Sequence, residues 1–198
     1  MKLRRALSVS AATAALLPVA VAAAPASQAA PAAEIPTCSE VSNGQYHNNA
    51  LVGRSFGIPE SITLGTHWTT YTATLTNASA KELKSFELSA EVVSYVYNEG
   101  ERDLSPYSDL QYWDTTQRAW KTLRQADGNA RGTIPGPKTL KPRESVHVQL
   151  RFRVNKDLPL DHTYDAFTGI TGTFLDRYRD TDCTSDGVAG GGFYPRKG

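Results

Sequence analysis

The chain reads as an all-β protein built of two packed antiparallel sheets, a sandwich, on three observations. Apolar residues recur with a period of two in one segment after another. β-branched residues and turn clusters alternate along the chain, and no segment sustains a helical period. The clearest strand is Ser145 to Val154. Val146, Val148, Leu150, Phe152 and Val154 point one way and His147, Gln149, Arg151 and Arg153 the other, the pattern of a half-buried strand. Leu140-Lys-Pro-Arg-Glu144 is the turn that feeds it. Thr69 to Thr76 sets Tyr71, Ala73 and Leu75 on one face and threonines on the other, and Asn77-Ala-Ser-Ala80 turns the chain. Phe86, Leu88, Ala90, Val92 and Val96 line one face of a long strand. Leu110 to Trp113 and Arg118 to Leu123, around Asp114-Thr-Thr-Gln117, predict a hairpin. A short strand is expected near Leu51 and Val52, and a glycine-broken one from Tyr164 to Phe174.

The N-terminus has the pattern of an export signal. Lys2, Arg4 and Arg5 give a positive start, Ala6 to Ala24 is small and apolar, and Ser27-Gln-Ala29 offers cleavage before Ala30, with Ala24-Pro-Ala26 as a second site. Residues 1–29 are therefore expected to be a cleavable signal peptide. The apolar stretch is short, diluted by alanine and broken by Pro18, which makes it a poor membrane span. Cys38 lies too far along for lipidation. Without the three cations of the signal, the net charge of +1 becomes about −2, and no basic stripe stands out, so nucleic acid is not an expected partner. The remaining chain suits one domain with a sizeable core. The expected organisation is a leader and N-terminal segment over 30–50, the sandwich over 51–184, and a flexible tail over 185–198, where Gly187 and Gly190-Gly191-Gly192 argue for disorder. No sorting motif or second apolar stretch is visible, so no membrane anchor is expected after cleavage.

Two cysteines occur, Cys38 and Cys183. In an oxidising compartment such a pair most often forms one disulfide, which would tie the first and last strands together; two free thiols are the alternative.

Several stretches together resemble a known family. They are Trp68-Thr-Thr-Tyr-Thr-Ala-Thr-Leu-Thr-Asn77-Ala-Ser, Leu110-Gln-Tyr-Trp-Asp114 with Trp120-Lys-Thr-Leu123, Leu140 to Leu150, and Asp182-Cys183-Thr184. In this order they resemble the immunoglobulin-like domains of secreted and cell-wall-associated actinobacterial (Streptomyces-type) proteins, and the resemblance covers about Thr66 to Thr184. It implies an immunoglobulin-like antiparallel β-sandwich and an extracellular location, and brings no activity or catalytic residues with it.

Each chemical motif has a bland competitor. Gly53-Arg-Ser55-Phe-Gly57 is a literal G-x-S-x-G, but Ile58-Pro59 opposes the helix a nucleophilic serine needs after it, and Asp161 and His162 are adjacent residues expected to project apart. His47, His67, His147 and His162 have no zinc spacing. Asp176, Asp180, Asp182 and Asp186 could suit calcium, yet Arg177 and Arg179 are interleaved as charge partners; Glu99, Glu101 and Asp103 read the same way. Trp68, Trp113 and Trp120, with Tyr112, could form a platform for sugar rings, with burial in the core as the default. The expectation is thus a secreted domain, free or wall-associated, without catalytic residues, metal or cofactor, whose partner is a cell-wall polymer or an extracellular protein. A carbohydrate-binding module using exposed aromatics is the alternative, and a serine hydrolase at Ser55 the remote one.

Overall fold

The computed structural model describes residues 35–198 apart from Thr66 and Tyr97; the expected signal peptide and leader residues 30–34 lie outside the described residues. A four-residue helix α1 (Cys38–Val41) precedes strands β1 (Leu51–Phe56), β2 (Ser61–Thr63), β3 (Thr69–Asn77) and β4 (Leu83–Tyr95). There follow β5 (Ser108–Asp114), β6 (Ala119–Leu123), β7 (Arg131–Ile134), β8 (Thr139–Leu140), β9 (Ser145–Val154), β10 (Asp165–Tyr178) and β11 (Thr181–Arg196). One sheet runs β1-β3-β9-β5-β6. The other runs β2-β11-β10-β4-β7, with β8 also paired to β4. Every pairing among these strands is antiparallel except that of β2 with β11.

This is an immunoglobulin-like sandwich by its own topology. β1, β3, β9 and β5 stand as strands A, B, E and D of one sheet, and β4, β10 and β11 as C, F and G of the other. A second hallmark lies at the turn from β9 into β10. Tyr164, buried just ahead of β10, donates its hydroxyl to the carbonyl of Pro159 at 2.7 Å, a tyrosine corner. The core lies between the sheets, where Tyr71, Leu75, Phe86, Leu150, Phe152, Ile170 and Phe193 are buried.

The period-two reading places β3 and β9 correctly. β4 begins earlier than its pattern suggests, because Ser85 adopts a left-handed backbone (φ 51°) opposite a register shift between Thr173 and Leu175. This bulge lets Leu83 and Phe86, three apart, both face inward. Val96 is a correction: β4 stops at Tyr95, Val96 is exposed, and Ser94 takes the last buried place. There Asp103 Oδ1 accepts the Ser94 amide at 2.9 Å. The Asn77 turn has a physical basis as well. Its buried amide donates to the carbonyls of Lys81 (2.7 Å) and Leu140 (2.8 Å) and accepts from the amide and hydroxyl of Ser79.

The larger correction concerns 185–198. Residues expected to form a flexible tail belong to β11, paired along its length with β10 and, from Tyr194 to Arg196, with β2. Gly187 is there because β1 crosses directly over this strand, and Gly190 because Phe167 and the Thr168 carbonyl of β10 stand where its Cβ would go. A Cβ on Gly53 would lie 1.8 Å from the Val188 carbonyl oxygen, and one on Gly187 would lie 2.4 Å from Leu51 Cβ. Glycine here marks close approach of backbones, not disorder.

Cys38 and Cys183 form a disulfide. It joins α1, rather than a first strand, to β11, and both sulfur-bearing residues are buried. Thr37 caps α1 through a reciprocal pair of hydrogen bonds with Glu40. Beside the bridge, Asp176 of β10 accepts hydrogen bonds from the Tyr46 hydroxyl (2.7 Å), the Asn48 amide and the Ser185 hydroxyl (2.9 Å). Burial pushes its carboxyl up, but these donors and the Arg177 amide outweigh it and hold it below the usual range.

Candidate functional site

The outer face of the five-stranded sheet brings the three tryptophans together. Trp113 and Trp120 are direct cross-strand partners in the β5–β6 hairpin, meeting edge to face with ring centroids 5.4 Å apart. The hairpin loop is set by Asp114, whose Oδ1 accepts the amides of Thr116 (2.9 Å) and Gln117 (3.0 Å), and by Arg118 in a left-handed conformation. β9 lies beside β5 in a register that sets Arg151 opposite Gln111. The Arg151 guanidinium carbon stands 4.3 Å from the Trp120 ring centroid and 4.5 Å from that of Trp68, so the cation is held between two indoles. Arg153 lies 4.7 Å from Trp68 on the same face.

Polar contacts lock this arrangement. Arg151 Nε donates to Gln111 Oε1 at 2.8 Å, and Gln111 Nε2 donates to the Thr122 hydroxyl at 3.1 Å. Asp109 bridges Arg124 (2.7 Å) and Arg153 (2.8 Å). Burial raises the Asp109 carboxyl, and the hydrogen bonds and charges of the two arginines overcome this to hold it below the usual carboxylate range.

Next to this face, where the hairpin and the loop after β7 part, opens a cleft of about 640 Å³. Tyr112, Trp113, Pro135, Pro137 and Val146 give it apolar walls, and Asp114, His147 and Gln149 bring polar groups to it. Tyr112 and Trp113, on opposite faces of β5, are both half-buried and both reach the cleft because it wraps around the end of the strand. None of the three tryptophans is buried in the core, where the aromatics are Tyr71, Tyr164, Phe86, Phe152, Phe174 and Phe193.

The other sequence candidates lie elsewhere. Ser55 sits within β1 and donates its hydroxyl to the Gly190 carbonyl at 2.8 Å. Asp161 and His162 do meet, contrary to expectation: His162 Nδ1 is 2.9 Å from Asp161 Oδ1, because the irregular segment between β9 and β10 lets adjacent side chains turn together. His147 Nδ1 is 3.0 Å from the Thr74 hydroxyl. In the acidic cluster Asp182 pairs with Arg177 at 2.7 Å, and Asp176 serves the contacts described above. Among the described residues no group of three or more histidine, cysteine or acidic side chains is placed to hold a metal ion. Sequence reasoning missed Arg151, the residue that organises the site. The signal was its outward place on β9, legible only once β9 is known to run between Trp68 and the hairpin.

No family model matches the chain, and no curated protein matches it. Its fold is similar to that of several solved structures. AvmM, which catalyses macrocyclization in alchivemycin A biosynthesis, superposes with a TM-score of 0.51 at 17% identity, over 76% of this chain and 91% of that one. Spo0M, a sporulation control protein of Bacillus subtilis, gives a TM-score of 0.36 at 10% identity over 76% and 51% of the two chains. The ASH/PapD-like domain of human CEP192 gives 0.28 at 10% identity over 75% and 87%. The likeness to AvmM is one of fold, and the other two are looser still.

Proposed function

We propose that the protein is a secreted, non-enzymatic immunoglobulin-like module that binds a carbohydrate of the extracellular or cell-wall environment in the cleft beside Trp113. The cleft itself carries this reading. It joins an indole wall and two prolines to a carboxylate, an imidazole and an amide. A sugar ring needs an apolar surface under its C–H face and donors and acceptors around its hydroxyls. Export is supported by the pattern of the first 29 residues and by a disulfide, which suits an oxidising compartment. The non-enzymatic reading is supported by Ser55, whose proton is given to a backbone carbonyl in mid-strand rather than to a base.

A second reading, docking of an extracellular protein, is favoured by one observation: Phe56 and Val52 are 69% and 44% exposed on the outward side of edge strand β1. Retention on insoluble peptidoglycan, chitin and cellulose separates the two. The carbohydrate reading expects retention on at least one polymer, and Trp113→Ala should weaken it about tenfold or more. Trp113 is half-buried outside the core, so the same variant should lose no more than about 1 kcal/mol of stability. Retention on none of the polymers sinks the carbohydrate reading.

A further inference from the structure

We infer that Arg151 is an anion-binding residue, and that the glycan taken by this face carries a carboxylate or a phosphate; the inference rests on the reading of the cleft as a carbohydrate site. Arg124 and Arg153 share Asp109, Arg131 holds Asp127, and Arg177 holds Asp182. Arg151 has no such carboxylate among the described residues. Its one side-chain hydrogen bond uses Nε, toward Gln111, and leaves both Nη groups as donors. Loss of solvent and the neighbouring positive charge of Arg153 both weigh against its protonated form, so the site holds an unneutralised cation.

The guanidinium is also pre-oriented. Stacked between Trp68 and Trp120 and tethered at Nε, it has already lost the rotamer freedom that a flexible arginine gives up on binding. A planar fork of this kind matches the paired oxygens of a carboxylate or phosphate. Its position is the second part of the case. Arg151 follows Gln149, a wall of the cleft, by two residues on β9, a separation of about 7 Å. Trp120, whose face it covers, touches Trp113 at the cleft wall. A ring seated on Trp113 therefore places the acidic group of a neighbouring sugar, or of a phosphodiester link, within reach of Arg151.

The test compares polygalacturonic acid, its fully methyl-esterified form and poly(glycerol phosphate) by titration calorimetry. It uses the full chain and the variants Arg151→Gln and Arg151→Lys, each checked for an unchanged melting temperature. At least one anionic polymer is expected to bind about tenfold or more tighter than the neutral ester. Arg151→Gln should abolish that preference without weakening the ester, and Arg151→Lys should restore part of it. Preference for the uronate or for the phosphate polymer identifies which source the site takes. Equal binding of charged and neutral polymers, or a preference that survives Arg151→Gln, overturns the inference. So does binding to none of the three. If wall polymers are still retained in the earlier experiment, only the inference falls. If nothing is retained there either, the carbohydrate reading falls with it.

Discussion

Where β1 crosses β11 the two backbones touch, whereas at the opposite edge β5 and β6 part from the second sheet over a cleft. The first edge is built from Gly53 and Gly187, with a serine hydroxyl reaching across to a carbonyl. The second is built from tryptophan, tyrosine and proline. At both places the five-stranded sheet meets the six-stranded one, and what differs is the size of the side chains between them. Removing them shuts a sandwich edge. Rigid, bulky ones hold it open and leave a wall that a ligand can use.

That contrast is broken most severely at Gly53. Gly53→Val puts side-chain atoms where the Val188 carbonyl stands, and no rotamer relieves a clash with backbone. A loss of about 3–5 kcal/mol is expected in urea denaturation, enough to unfold a marginal domain. Gly192→Ala is the contrasting control. Its Cβ would meet only the Ala166 carbonyl oxygen at 3.5 Å, so it should change stability by less than about 1 kcal/mol. A Gly53→Val protein as stable as the control would mean the closed edge is not closed.

The next effect is that of the bridge. Cys38 and Cys183 are 145 residues apart, and the paired Cys38→Ser and Cys183→Ser substitutions should cost about 2–4 kcal/mol. Reductant should lower the unfolding midpoint of the parent and leave that of the variant unchanged.

The smallest effect is electrostatic. Asp176, on the same side of the molecule, is held below the usual carboxylate range when folded. Its contribution is therefore fully present above the unfolded carboxylate pKa of about 3.9 and is lost as pH falls through the lower folded value. Asp176→Asn should cost about 1–2 kcal/mol at pH 7 and flatten the fall in stability below about pH 4. An unaltered acid limb would remove Asp176 from the account.

The same contrast explains what could be read from sequence. β3 and β9 are legible because each buries one face against the core and exposes the other, so Tyr71, Ala73 and Leu75, or Leu150, Phe152 and Val154, announce their own geometry. β11 is illegible because its glycines answer to neighbouring strands, and the neighbour over Gly187 is more than a hundred residues away in the chain. The candidate site divides in the same way. Trp113 and Trp120 meet across a local hairpin and can be paired on paper. Their connection to Trp68 passes through Arg151, which depends on the order β3-β9-β5 and on no local pattern at all. Asp161 and His162 show the reverse: the chain there has no regular structure, so the alternation of a strand does not separate them.

The clustering of the tryptophans has an optical consequence. All three indoles of the chain share one face, two stacked on the Arg151 guanidinium and the third, Trp113, edge to face with Trp120, and none is in the core. Tryptophan emission is thus a local reporter, responding to polarity and quenching at that face. The chain comes with its chromophores already at the place where occupancy is to be watched. Loosening of the hairpin would dim or shift them while the backbone signal in circular dichroism stayed whole.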